Sequence, residues 1–143
     1  MYTKILLAVD LNHDSSWKTA LPTAMEMARG GGGPLHLLAI APDFKMALVG
    51  SYFSKDFERD ALKHLYAELE KFAATHVDKD LNVEIHIAQG AIASEVVRVA
   101  QEHSVDLIVM ASHPPDEMRE FLVGSNADRV VRHSPISVLV VRG

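Results

Sequence analysis

The chain has 143 residues, 48% of them apolar and 23% charged, with a formal net charge of −5. That is the composition of one folded domain of ordinary size, and an acidic balance with no basic cluster argues against a general nucleic-acid or anionic-membrane surface. With no cysteine in the chain, disulfide frameworks and thiol chemistry are excluded.

Lys4-Ile5-Leu6-Leu7-Ala8-Val9-Asp10 is an apolar run ended by an acid, the pattern of a strand covered on both faces. The run is too short for a secretory signal core, and no stretch approaches the ~20 apolar residues of a membrane span, so the expected location is cytoplasmic. Asp14-Ser15-Ser16 offers helix caps, and Trp17, Leu21, Ala24, Met25 and Ala28 recur at helical spacing. Gly30 to Gly33 and Pro34 end that helix. The four-glycine run follows a helix and opens a strand, the wrong polarity for a phosphate cradle, so it reads as an αβ turn.

Leu35 to Ala41 is the second strand, closed by Pro42. Residues 43 to 54 lack a clean period and read as a loop over the sheet edge. Lys55 to Thr75 is the longest helix candidate, with Phe57, Ala61, Leu65, Leu69, Phe72 and Ala73 on one stripe. Val83, Ile85 and Ile87 alternate with Glu84, His86 and Ala88, as a strand near a sheet edge does. Ile92, Val96, Val97, Val99 and Ala100 mark a short helix. The order continues with a strand at Leu107 to Met110, a helix from Asn126 to His133 and a strand from Ser137 to Val141. Alternating units of this kind predict a parallel sheet with right-handed crossovers and helices on both faces.

The stretch Asp106 to Arg132 is the candidate site, a strand followed by a polar, proline-bearing loop and a helix start. Ligands of open α/β sheets collect at the carboxyl ends of the strands, where a helix N-terminus offers backbone N–H groups and a positive dipole end to an anion. Gly124-Ser125-Asn126 has that polarity, and the Ser125 hydroxyl can cap the helix or bind a phosphate. The loop Ser112 to Val123 is longer than the ~2–6 residues usual for a βα connection, and its Arg119 either meets phosphates or stays solvated. Asp10, at the end of the first strand, can accept from a ribose hydroxyl or an adenine amino group, hold Mg²⁺, or be a surface acid. The eight histidines show no paired ligand spacing, so no metal site is expected; His113 and His133 lie near the loop without a nucleophile beside them. No Walker lysine is present, and the third strand ends Ala88-Gln89-Gly90 without the aspartate of a phospho-accepting receiver.

With these residues in view the chain resembles the universal stress protein family over nearly its whole length. The matching features are Ile5 to Asp10, Leu35 to Ile40, Asp106 to Met110 with the loop to Gly124-Ser125, and Arg132-His133-Ser134-Pro135 running into Ile136 to Arg142. The resemblance implies one domain over residues 1–143 and a five-stranded parallel sheet of order 3-2-1-4-5, Rossmann-like, with helices on both faces. It also implies a stress-response role, usually a homodimer and, in many members, an ATP or AMP site, for which Asp10 is the candidate Mg²⁺ ligand. An apolar terminal strand left as an exposed edge invites association, so the Ser137 to Val141 strand is the expected dimer contact.

Carried over by position, the site comprises Ala8, Val9, Asp10, Ile40, Met110, Ala111, Ser112, Pro114, Gly124, Ser125 and Asn126. Asp10 would hold the ribose or base, Ala8, Ile40 and Met110 would wall the adenine, the backbone at Ala111 and Ser112 would line the ribose, and Gly124 to Asn126 would take phosphates. The family's Gly-x-x-Gly falls on Ala111 and Pro114, while the nine-residue spacer to Gly124-Ser125 is intact. Pro114 has no N–H to offer, and Ala111 adds a methyl where backbone approaches ligand. A dimeric interaction module without nucleotide is therefore the alternative, and slow ATP hydrolysis or autophosphorylation a weaker one.

Overall fold

In the computed structural model, residues 1–42, 55–112 and 124–142 are described. They form strands β1 (Ile5–Ala8), β2 (Leu35–Ala41), β3 (Val83–Gln89), β4 (Leu107–Ser112) and β5 (Ser137–Arg142), with helices α1 (Ala20–Gly31), α2 (Lys55–His76), α3 (Ile92–Glu102) and α4 (Ser125–His133). All pairings are parallel and the sheet order is β3-β2-β1-β4-β5, as expected. The expected loop at residues 43–54 lies outside the described residues, as do His113, Pro114 and Arg119.

Two apolar layers enclose the sheet, and the side-chain alternation of the strands sorts residues between them. Ile5, Leu7 and Val9 of the first strand segment join Leu35, Leu37, Val109 and Ala111 under α1 and α2. Leu6 joins Leu38, Ile108 and Met110 under α3 and α4, through Val96, Val99, Ala127 and Val130. The inner strands β1, β2 and β4 are buried on both faces, which is why each reads as an unbroken apolar run. Fully burying one such Leu or Ile contributes about 1.5–3 kcal/mol. β3 is an edge strand with a wetter face, as its alternation predicts. β5 is the other edge, half-buried from Val138 to Val141 despite its continuous apolar run.

The start of α1 differs from the expectation. Asp14–Ser16 forms a 3-10 turn instead of capping a long helix, and α1 begins at Ala20. Pro22 sits in the first turn, where its missing N–H costs no helical bond. Trp17, between the two, packs edge-on against Phe72 with ring centroids 4.9 Å apart.

The glycine run joins α1 to the chain's N-terminus. Gly32 terminates the helix in the left-handed conformation, φ 75°, with its N–H on the Ala28 carbonyl at 3.0 Å. Gly31 and Gly33 lie against Tyr2 and Thr3 so closely that a Cβ on either would overlap main-chain atoms, whereas a Cβ on Gly30 would meet open space. The strand that follows Thr3 is held at its other side by Asp106. Its carboxylate accepts the N–H groups of Thr3 at 3.0 Å and Lys4 at 2.9 Å and the Thr3 hydroxyl at 3.3 Å, while the Lys4 carbonyl accepts from the Asp106 N–H at 3.0 Å. Burial alone would disfavour ionisation of Asp106, but these donors outweigh it and hold the carboxyl below its usual range.

Gly30→Ala is expected to raise stability by about 0.5–1 kcal/mol, the ordinary helix-propensity gain, while Gly33→Ala lowers it; urea unfolding of both variants checks the opposite signs. Asp106→Ala is expected to cost about 1–2 kcal/mol at pH 7 by the loss of charge-assisted hydrogen bonds. Because the folded-state pKa of Asp106 is depressed, its contribution is full above the unfolded value near ~3.9 and is lost as pH falls through the lower folded value. Unfolding curves of wild type and Asp106→Ala should therefore converge in that acidic window.

Candidate functional site

The carboxyl end of β1 is shaped by one buried hydroxyl. Ser16 Oγ accepts the Asp10 N–H at 2.9 Å and lies 3.0 Å from the Asp10 carbonyl and 2.8 Å from the His13 carbonyl, one of which takes its proton. Ser16 thus folds the segment after β1 back on itself, a role the capping reading had missed. The Asp10 carboxylate projects from this turn with its side chain 48% exposed; one oxygen accepts the Asn12 N–H at 3.0 Å and the other faces His13 Nδ1 at 3.0 Å. The Asp-x-x-His spacing was the available signal for His13. Asp10 keeps further lone pairs on its open side for a hydroxyl or amino donor.

Parity decides what the remaining strand-end residues present. Ala8 and Ile40, both half-buried, and Met110 lie on the sheet face covered by α3 and α4. The Val9 and Ala111 side chains point to the opposite layer, under α1, so at these positions only main chain is available toward the first face. Ala111 and Ser112 belong to β4 itself, and Ser112 is buried at 8% exposure.

The N-terminus of α4 lies on the same face as Ala8, Ile40 and Met110, because Ala127 and Val130 pack into that layer. Gly124, with φ −65° and ψ 157°, is the N-cap residue and carries no side chain to cap the helix. The Ser125 hydroxyl therefore does not act as the cap. It is the first helical residue and exposed, with Asn126 half-buried beside it. The first intrahelical bond runs from the Asp128 N–H to the Gly124 carbonyl at 2.9 Å, so the N–H groups of Ser125, Asn126 and Ala127 precede the ladder. Asn126 also borders an open groove of about 430 Å³ between α3 and α4, lined in part by Ile92, Arg98 and Arg129. Chemically, three apolar side chains, an exposed carboxylate and a helix start with leading N–H groups offer complements to an aromatic base, a hydroxyl and an anion. Pro114 falls outside the described residues.

At the opposite, amino-terminal end of the sheet the structure gathers side chains that are distant in sequence. His36 on β2 stands opposite Glu84 on β3, and His86 follows two residues later on the same strand face. His36 Nδ1 lies 2.9 Å from His86 Nε2 and 3.4 Å from Glu84 Oε2. The His103 ring, at the C-cap of α3, packs on His86 with centroids 4.0 Å apart. Burial, reinforced by the neighbouring His103 and His36, pushes His86 down to about 4, against the opposing pull of Glu84 and Glu102. His36 is lowered too, chiefly by burial, although Glu84 pulls the other way.

Comparison with known proteins places this geometry. A sequence profile of the universal stress protein family matches residues 1–142. Universal stress protein G of Escherichia coli O157:H7 is 31% identical over 145 residues, covering 99% of this chain and 100% of that protein. Among solved structures, a universal stress protein in complex with cAMP superposes with a TM-score of 0.67 at 20% identity, covering 99% of this chain and 97% of the other. The universal stress protein from Archaeoglobus fulgidus in complex with dAMP gives a TM-score of 0.60 at 21% identity, covering 97% of each chain. The profile match over residues 1–142 and a relative covered from end to end agree, and the chain belongs to the universal stress protein family.

Proposed function

We propose that this protein is a cytoplasmic stress-response module that binds an adenine nucleotide, ATP or AMP, at the carboxyl ends of β1, β2 and β4, without committed catalysis. The observation that carries the reading is the α4 start, with its leading N–H groups, on the same sheet face as Ala8, Ile40 and Met110. In this arrangement the adenine lies against those three side chains and the Asp10 carboxylate accepts a ribose hydroxyl. Main chain at Val9, Ala111 and Ser112 lines the sugar, and the N–H groups of Ser125 and Asn126 meet phosphate at the positive end of α4. Family relatives solved with cAMP and dAMP support an adenine ligand. Pro114 supplies no N–H, which leaves more of the phosphate contact to the helix start. Asp10 is also the side chain that would hold Mg²⁺ with ATP.

Assembly through β5 is the second part of the proposal. Its residues Val138 to Val141 are half-buried on an edge strand, and an apolar edge left open invites pairing with another copy. A homodimer across a two-fold axis would cover it, and this surface serves equally in a nucleotide-free interaction module.

Isothermal titration with AMP and ATP is expected to show one site per chain. Asp10→Ala should weaken binding by roughly 10- to 100-fold, the loss of a charge-assisted hydrogen bond, and Ser125→Tyr should abolish it by filling the helix start. No heat at millimolar nucleotide from folded protein would remove the nucleotide reading and leave the interaction module. Sedimentation equilibrium is expected to show a dimer, unaffected by Ser125→Tyr; a monomer at tens of micromolar chain would discard the β5 interface.

A further inference from the structure

We propose that His36, Glu84 and His86 form a binding site for one divalent transition-metal ion of the Zn²⁺ class, at the amino-terminal edge of the sheet. The site is independent of the nucleotide reading. His36 Nδ1, His86 Nε2 and a Glu84 oxygen all lie within 4.8 Å of one another. Ligands about 2.0–2.1 Å from a tetrahedral ion are ~3.3 Å apart. The His36–Glu84 separation of 3.4 Å already matches that figure, and the His36–His86 separation of 2.9 Å needs to open by a few tenths of an ångström. A hydrogen bond to His86 alone would satisfy His36; the approach of Glu84 to the same nitrogen makes the group convergent.

The surroundings suit a cation. His36 is buried on the inner strand β2 and stacks on His86, ring planes 10° apart, and His103 holds the other side of the His86 ring, so the imidazole orientations are set before an ion arrives. The rings lie by the C-terminal end of α3, where the helix dipole favours positive charge. Two imidazoles and one carboxylate favour Zn²⁺ and its neighbours over the all-oxygen preference of Mg²⁺ and Ca²⁺. Three protein ligands leave a fourth position for water, and Glu84, exposed on the edge strand β3, opens the site to solvent.

Chelator-stripped full-length protein, without nucleotide, is titrated calorimetrically with Zn²⁺ and followed with Co²⁺ by visible absorption. One Zn²⁺ per chain and the intense bands of four-coordinate Co²⁺ are expected, with no Mg²⁺ binding. Glu84→Gln and His86→Ala should each weaken Zn²⁺ by at least about tenfold, the upper range for even an outer-shell partner being greater. His64→Ala, on the exposed face of α2, should leave affinity unchanged. Glu84 is an exposed edge residue, so Glu84→Gln keeps the test open if His86→Ala fails to fold. Absence of Zn²⁺ binding, Mg²⁺ binding of equal strength, or Zn²⁺ binding unchanged in Glu84→Gln and lost in His64→Ala would overturn the site.

Discussion

Alternation along five parallel strands is the constraint on which the other features depend. A parallel sheet with helices on both sides must send successive side chains to opposite layers, so the address of each residue follows from its parity and its register. On β1, Leu7 and Val9 go to the layer under α1 while Leu6 and Ala8 go to the layer under α3 and α4. The same rule aligns Ala8, Ile40 and Met110 with the start of α4 and carries His36 into the face shared by His86. A one-residue slip of β2 would send His36 and Ile40 to the other layer at once, breaking both sets and placing imidazole where Leu35 and Leu37 now pack.

The sheet therefore has two chemically different ends. At the carboxyl end lie main-chain donors at the start of α4, an exposed acid and the apolar side chains of Ala8, Ile40 and Met110, the groups on which the proposed nucleotide reading rests. At the amino end, the His36 and His86 imidazoles meet the Glu84 carboxylate beside the carbonyl end of α3, where the proposed cation would sit. β2 spans both through His36 and Ile40, four residues and roughly 13 Å apart along the strand. Reversed helix polarity accounts for the contrast, because each βα unit brings a helix N-terminus to one end and a C-terminus to the other.

Much of this was legible in the chain. β1, β2 and β4 announce themselves because burial on both faces forces unbroken apolar runs, and the alternation of β3 marks an edge. β5 reads like an inner strand yet is an edge, since sequence records apolarity without saying what covers it. Ser16 resembles a helix cap, but a hydroxyl can bond in either direction and here it turns back to Asp10. Ser125 likewise resembles a cap and is the first helical residue, because Gly124 takes the flanking position. The histidine cluster left almost no local trace: His36 and His86 are joined only by the register of β2 on β3, and Glu84-x-His86, two residues sharing a strand face, was the one hint. The carboxyl-end residues could be proposed because strand ends and helix polarity are both visible in pattern. At Val9 and Ala111 the pattern named the position and parity then restricted the contribution to main chain.

The pairing of β1 with β4, sealed where Asp106 receives Thr3 and Lys4, has a consequence for synthesis on the ribosome. β1 emerges before both of its partners and occupies the middle of the finished sheet, with β2 on one side and β4 on the other. Until residues beyond about 107 have left the exit tunnel, β3, β2 and β1 can assemble only as a half-sheet. The open border of that half-sheet is Ile5-Leu6-Leu7, among the most apolar edges in the protein. The nascent chain must therefore shelter this border until β4 arrives, and closing the long loop between Thr3 and Asp106 is the event that ends the exposure.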